Sequence, residues 1–366
     1  MKIAVLKETR YAENRVALTP QVAQQLIKVG HTIQIEEGAG YASNFSNDAY
    51  EKVGCEIADK TAILARAEVL LKVNAPDPSE IELMKEGTVL ISYLYATFNT
   101  DLVQQLNAKK ISAFAMDAIP RISRAQNMDA LSSQANLAGY KAVILGAAQM
   151  GKIFPLLMTA AGTLTPARVL IYGAGVAGLQ AVATAKRLGA VVEVSDVRPE
   201  TKEQVESLGG KFIEVKSDET AKVEGGYAKE VSADYLAKQK EAVNKSLFQA
   251  DLVITTALVM GKKAPILITE DQVKQMKLGA VIVDMAVEQG GNCELSEYDK
   301  TIVKHGVQVI GPANLPATLP QNASELYAKN IQNLLNLLAT KEAFKWELEE
   351  DITKGTLICH EGKLMK

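Results

Sequence analysis

Three glycines and a carboxylate are spaced in this chain for holding a diphosphate-bridged dinucleotide. Gly173, Gly175 and Gly178 lie in VLIYGAGVAGLQAVATAKRLGAVVEVSD (169–196), between an apolar run and a helix-forming segment, and Asp196 closes a second apolar run. The spacing gives each glycine its own role. Gly173 permits a tight turn, Gly175 lets backbone approach a pyrophosphate, and Gly178 lets the helix pack closely on the sheet. Val176 opens that helix, whose unpaired N–H groups and dipole favour an anion by roughly 0.3–1 kcal/mol beyond direct hydrogen bonds. Asp196 is placed to accept from the ribose hydroxyls of an adenosine and to repel a 2′-phosphate, which favours NAD over NADP. Arg198 is the nearby group that could receive such a phosphate instead.

A second concentration of polar heads, PRISRAQNMDALSSQANLAGY (120–140), carries Arg121, Arg124, Gln126, Asn127, Asp129, Ser132 and Ser133. If the segment turns as a helix, Gln126 and Asp129 share a face. An amide and a carboxylate so placed can hold a ribose or a nicotinamide carboxamide. The same residues also read as a solvated helix entry with Asp129 as its N-terminal charge. Other chemistry finds little support. Cys55, Cys293 and Cys359 form no CxxC pair, and His31, His305 and His360 are scattered, so reduced thiols and no metal site are expected. The net charge of −3 comes from 40 basic and 43 acidic residues without a basic run, which argues against a nucleic-acid partner.

These groups need a scaffold, and 366 residues exceed what one core usually serves. Apolar runs at 2–6, 32–36, 69–73, 88–93 and 111–115 alternate with helical patterns, as do those at 169–172, 191–195, 212–215, 252–256, 280–283 and 307–310. The expected fold class is α/β: two Rossmann-like, doubly wound parallel-sheet domains separated by a cleft. A helix from Pro20 to Ile27 is capped by Thr19 and stopped by Gly30. A long helix from Ser132 to Met150, capped by Ser132 or Ser133, connects the domains. A helical stretch over 323–344 returns to the first domain, making it discontinuous (1–125 with 320–366), with 126–319 as the nucleotide-binding domain. Between the strands at 212 and 252 lies a long polar insertion with Gly225-Gly226 before Tyr227, which suits a mobile lid near 217–230. The start MKIAVLKETR lacks a signal-peptide apolar region, and the uncharged stretches at 153–167 and 169–185 are broken by Pro155, Gly162 and Pro166 or hold the glycine turn. A soluble, cytosolic chain is expected.

Several segments together carry a resemblance that spans essentially the whole chain. VLKETRYAENRVALTP (5–20), LLKVNAP (70–76), Pro120 to Gly139, ITTAL (254–258) and VDMAVEQGGNCE (283–294) resemble the alanine dehydrogenase and nicotinamide nucleotide transhydrogenase superfamily. Within it, RISRAQNMD is similar to the Arg-Gln-Asp loop of the NAD(H)-binding component of proton-translocating transhydrogenases. The resemblance implies that Arg121, Gln126 and Asp129 position the nicotinamide end, with Asn127, Met128 and Ser132 beside them. It implies that Val176, Asp196, Val197 and Arg198 line the adenosine and pyrophosphate side, that Gly226 and Tyr227 belong to a mobile loop, and that Gln239 and Leu258 complete the pocket. It further implies hydride exchange between NAD(H) bound here and NADP(H) on a partner component. A homodimer, a membrane-spanning partner component and a cytoplasmic position peripheral to the inner membrane complete what it implies.

Two substitutions separate the branches of that superfamily. An amino-acid dehydrogenase must handle protons as well as a hydride, which requires a general acid/base. By resemblance, Tyr95 in LISYLYATF stands where such enzymes place a histidine, and Glu288 in EQGGN where they place an aspartate. Arg15 and Lys72, which in the dehydrogenases bind the substrate carboxylate and carbonyl, persist. Transfer between two nicotinamides needs only ring carbons held at about 3–3.5 Å and water excluded. Arg121, Gln126 and Asp129 then act as positioners. An alanine dehydrogenase-like enzyme and a non-catalytic NAD-binding module are the alternatives.

Overall fold

The computed structural model describes residues 1–214, 223–224, 227–228, 233–258 and 262–365. The chain divides into two compact units, Met1–Gln134 with Pro316–Lys366, and Ala135–Leu315.

The first unit is built on an eight-stranded sheet in the order Lys363–Leu364, Leu357–His360, Ser112–Ala115, Val89–Ser92, Val69–Leu71, Lys2–Val5, Thr32–Glu36, Glu56–Ala58. Six strands run parallel, and the two C-terminal ones join antiparallel at one edge. The first strand shows why both faces are covered: Ile3 and Val5 point into one apolar cluster, Ala4 and Leu6 into another. Strands buried on both sides read as continuous apolar runs, which is why they stand out in the sequence. Helix Pro20–Val29 has Thr19 as N-cap and Gly30, at φ 105°, as its left-handed stop. Helix Pro320–Leu338 packs into the same unit, where Tyr327 donates its hydroxyl to the Lys72 carbonyl at 2.9 Å.

The second unit has a seven-stranded sheet, Lys211–Phe212, Val191–Ser195, Arg168–Tyr172, Leu252–Thr255, Val281–Asp284, Val307–Gly311, Lys300–Lys304, parallel except for the last strand. Val169 and Ile171 serve one core cluster, Leu170 and Tyr172 the other. The strand leading into the glycine turn lies between Val191–Ser195 and Leu252–Thr255, the place where strand order reverses. In open α/β sheets, ligands bind beyond the carboxyl ends of the strands at such a switch point.

Several expectations need correction. The long helix spans Ala130–Gln149, and its first turn is capped by Asp129, which accepts from the Ser132 N–H at 2.9 Å and the Ser132 hydroxyl at 2.6 Å. Ser132 and Ser133 are therefore inside the helix. The division between units falls after Gln134 rather than Ala125, because that first turn is bonded to the first unit: Ser133 donates to Asn330 at 2.7 Å and Gln134 to the Ala323 carbonyl at 3.0 Å. The stretch between 212 and 252 is not all loop, since helix Ala233–Leu247 fills its second half. The C-terminal pair of strands, the short strand Glu56–Ala58, the edge strand Lys300–Lys304 and a hairpin, Leu157–Thr159 with Gly162–Leu164, add to the strands expected from the apolar runs. Gly226 lies outside the described residues, as do the side chains of Tyr227 and Gln239 and most of the expected loop near 217–230.

Candidate functional site

The glycine turn follows the strand Arg168–Tyr172 and opens helix Val176–Arg187. Gly173 has φ 97° and donates its N–H to the Ser195 carbonyl at 2.8 Å, which stitches the turn to the neighbouring strand. A Cβ on Gly178 would stand 1.8 Å from the Gly173 carbonyl oxygen, so the helix approaches the turn as only glycine allows. Gly175 is different. It has an ordinary φ of −80°, and a Cβ there would meet no atom of the described residues within 4 Å. Among the described residues, neither conformation nor packing demands glycine at 175, and the position is open to an approaching group. The helix start has no side-chain cap and no acidic residue in its first turn, while Lys186 and Arg187 occupy its last. Its first N–H groups thus face outward with a favourable dipole for an anion.

Asp196 follows the adjacent strand, with its side chain almost wholly buried. It accepts from the Ala174 N–H at 2.6 Å and from the Arg198 N–H, Nε and Nη2 at 2.8, 2.9 and 2.9 Å. Burial works to raise its pKa, but these donors and the Arg198 charge more than offset that and hold the carboxyl below its ordinary value. Arg198, expected as a possible phosphate receptor, is folded back as a fork onto Asp196. Val176, Val197 and Leu258 are half-exposed apolar side chains. Leu258 lies two residues beyond Thr256, whose hydroxyl reaches the Tyr172 carbonyl at 3.0 Å.

Two buried features around the turn have no counterpart in the sequence analysis. Gly139, in the long helix, lies so close to helix Val176–Arg187 that a Cβ would come within 2.1 Å of the Ala177 carbonyl oxygen. Asp284, fully buried, gathers five donors: Thr255 Oγ1, Ser296 Oγ and the N–H groups of Ala286, Asn292 and Cys293, at 2.6–3.0 Å. Such groups carry no local signature, because their meaning depends on which strands become neighbours.

In the first unit, Arg121, Gln126, Asn127, Met128, Asp129 and Ser132 lie along one short segment, with Ser123–Met128 as a 3-10 turn. Ala125 and Met128 are buried in the core and anchor it, and the Asn127 carbonyl accepts from Asn330 and Asn333 at 2.8 and 3.0 Å. Arg121, Gln126 and Asn127 remain exposed, whereas the Met128 side chain is given over to packing. Arg124 pairs with Glu350 and Asp351.

The retained cations are held from within. Arg15 donates through Nε and Nη2 to both oxygens of Glu13, at 2.8 and 2.7 Å, and through Nη1 to Gln134 at 2.9 Å. Burial alone would raise the Glu13 pKa, but the Arg15 fork more than compensates and lowers it. Lys72 lies 3.2 Å from Glu80 and 4.0 Å from Glu8. Burial pushes the Glu8 carboxyl up despite the Lys72 charge. Tyr95 adopts φ 45°, its N–H bonded to Asp117 at 3.0 Å and its ring 5.8 Å from that of Tyr93. Glu288 accepts from the Asn314 N–H at 2.8 Å. Among the described residues, no group of histidine, cysteine, aspartate or glutamate could hold a metal ion.

Comparison with known proteins places these features in context. Residues 4–138 match the family described as alanine dehydrogenase/PNT, N-terminal domain, and residues 142–366 its C-terminal domain. The chain is 50% identical over 375 aligned residues to a Rhodospirillum rubrum protein, the first part of the alpha subunit of NAD(P) transhydrogenase, covering all of this chain and 98% of the relative. It is 34% identical to alanine dehydrogenase of Bacillus subtilis, over 88% of this chain and 82% of that one. The crystal structure of transhydrogenase from Sinorhizobium meliloti superimposes with a TM-score of 0.91 at 40% identity, covering 100% of both chains.

Proposed function

The chain belongs to the alanine dehydrogenase/PNT family, and on that premise we propose that it is the NAD(H)-binding component of a proton-translocating NAD(P) transhydrogenase. In this reading it passes a hydride between its NAD(H) and NADP(H) held on a partner component. The observation that carries the reading is the turn at the switch point. Gly175 opens onto space that no described residue fills, beside uncapped helix N–H groups and a strand-end carboxylate. A pyrophosphate fits that combination, and the adenosine ribose hydroxyls would share Asp196 with Arg198. With Arg198 neutralised by Asp196, a 2′-phosphate would meet the carboxylate, so NAD is preferred.

When bound, the nicotinamide supplies the hydride. The protein binds, orients and excludes water. We assign positioning of the nicotinamide end to Arg121, Gln126 and Asp129, with Ser132 held in place by Asp129 through the N-cap bonds. Asn127 presents an exposed side chain, and Met128, buried in the core, has its backbone as the route to a nucleotide. Val176, Val197 and Leu258 offer apolar surface to the adenosine, and Gly226, Tyr227 and Gln239 keep the lid and pocket roles that the family resemblance implies. No proton carrier is required of these groups, because direct hydride transfer moves none.

The name of the Rhodospirillum rubrum relative, a subunit, supports partner components for this chain. Among the described residues no helix is long and apolar enough to cross a membrane, so in this reading attachment to the inner membrane runs through those partners. A homodimer is supported by the hairpin Leu157–Thr159/Gly162–Leu164, which leaves Leu157, Met158 and Leu164 exposed.

A second reading, an alanine dehydrogenase-like enzyme, draws on the retained Arg15 and Lys72. Turnover of alanine and NAD by the isolated chain separates the two. The transhydrogenase reading expects none, with hydride transfer arising only when an NADP-binding component is added and falling about tenfold or more in Gln126→Asn; robust alanine oxidation would overturn it.

A further inference from the structure

The strand Leu252–Thr255 borders the glycine strand at the switch point, so the residues after it must lie beside the turn. Thr256 is fixed there by its N–H and hydroxyl, which both reach the Tyr172 carbonyl, at 2.9 and 3.0 Å. Ala257 follows Thr256 beyond the strand end, and Pro265 lies further along the chain. Both residues are tied to one side chain. Asn292 accepts from the Ala257 N–H at 3.1 Å through Oδ1, and its Nδ2 donates to the carbonyls of Ala257 and Pro265, each at 2.8 Å. Its backbone is fixed in turn: its N–H donates to Asp284 at 2.8 Å, and its carbonyl accepts from Leu267 and Ile268 at 2.8 and 3.0 Å.

We propose that Asn292 is a positioning residue for nucleotide binding, setting the Ala257 edge and Leu258 against the glycine turn while touching no nucleotide itself. The proposal rests on the NAD(H) reading of that turn. The reason is geometric. Ala257 follows directly on Thr256, whose hydroxyl lies only 2.4 Å from where a Gly173 Cβ would stand, so the strand end and the turn share one surface. A carboxamide suits this post because it accepts and donates at once. Aspartate keeps the bond to Ala257 N–H but places a carboxylate against two carbonyls, and leucine keeps the volume but leaves the Ala257 N–H and the two carbonyls without this partner. Loss of the side chain that ties Ala257 to Pro265 frees the Ala257 edge to shift, and displacements near an ångström can cost on the order of a hundredfold in function.

The test measures the Kd for NADH by titration calorimetry on the full chain, at a temperature where circular dichroism shows each protein folded. Asn292→Ala is compared with Asp251→Asn. Asp251 sits at the opposite end of the same strand, bonded to Lys152, Lys277 and the Arg168 N–H, so its loss weakens the unit far from the turn. The expected result is NADH binding weakened about tenfold or more in Asn292→Ala and unchanged within about twofold in Asp251→Asn, both having lower melting temperatures. With an NADP-binding component added, Asn292→Ala should raise the KM for NADH more than it lowers kcat. If Asn292→Ala does not fold, Asn292→Ser, which keeps one donor and acceptor, takes its place with the same criterion. Wild-type affinity in a folded Asn292 variant, or equal losses in both variants, overturns the proposal. Failure of the wild-type chain to bind NADH would instead overturn the NAD(H) reading itself.

Discussion

Alanine at Gly175 and at Gly178 should separate the two uses of glycine in the turn. At 178 the new methyl group would stand 1.8 Å from the Gly173 carbonyl oxygen, a backbone atom that cannot rotate away. Relief requires the helix or the turn to shift by roughly an ångström, and packed interiors resist this at about 1–3 kcal/mol. For a unit of this size that lowers Tm by roughly 2–12 °C, at about 2–4 °C per kcal/mol. The displaced turn should also lose at least one charge-assisted N–H bond to a phosphate, worth about 1.5–3 kcal/mol, or roughly 10- to 150-fold in Kd. At 175 the methyl group meets no atom of the described residues, and φ is already −80°. The weaker N-cap preference of alanine is about balanced by the lower entropy of the unfolded chain, so Tm should stay within about 2 °C. Yet NADH affinity should fall by the same order as in Gly178→Ala, because the methyl group occupies the path of the pyrophosphate. Differential scanning calorimetry without nucleotide and calorimetric titration with NADH give the two numbers. Unchanged NADH binding in a stable Gly175→Ala protein would falsify the claim that this glycine exists for a ligand.

Other perturbations probe separate links. Asp196→Asn should weaken NADH binding about tenfold by removing a charge-assisted acceptor, and narrow the preference over NADPH, read as a ratio of Kd values. Asp196 also has a pH signature: its pKa is held low in the folded state, so its contribution to stability is present above the unfolded value near about 3.9 and is lost as pH falls through the folded value. Asp196→Asn should therefore show a shallower loss of Tm on acidification than the wild type. Burial pushes Cys55 up to about 12 and Cys293 and Cys359 up to about 11, so a thiol reagent at pH 8 should label none of them in the native protein and all after denaturation. Rapid native labelling of one equivalent would show that a thiol assigned to the core is open to solvent. Gly139→Ala should destabilise the fold by about 1–3 kcal/mol and, on the proposed function, weaken NADH binding, because the methyl group pushes on the Ala177 carbonyl in the first turn of helix Val176–Arg187; no change in Tm or in Kd would show that the contact yields freely.

Local chemistry and strands buried on both faces are legible in the sequence. The glycine turn, Asp196 and the apolar runs Thr32–Glu36 and Val191–Ser195 announce themselves, because their meaning depends on neighbours in the chain. The hairpin at 157–164 does not, since its residues are exposed on both faces and so have no alternation to read. The cap of the long helix is ambiguous in sequence because aspartate and serine cap equally well, and only the bonds from Ser132 to Asp129 decide between them. Arg198 is legible as a charge beside Asp196 in the proposed ribose site but not as its bonded partner, a pairing that turns on one rotamer. The Asp284–Asn292 network is illegible for a stronger reason. It joins a strand end, a loop and the segment after a neighbouring strand, and nothing in any one of these names the others.

At the heart of the proposed function, this chain offers a hydride from one nicotinamide to another without moving a proton itself. Deuterium placed at C4 of NADH, followed by mass spectrometry in the presence of an NADP-binding component and NADP⁺, checks this without intermediate assumptions. The expected result is deuterium in NADPH with no exchange into water, and no NADH formation from alanine and NAD by the chain alone. Label lost to solvent, or robust alanine-dependent reduction of NAD, would refute it.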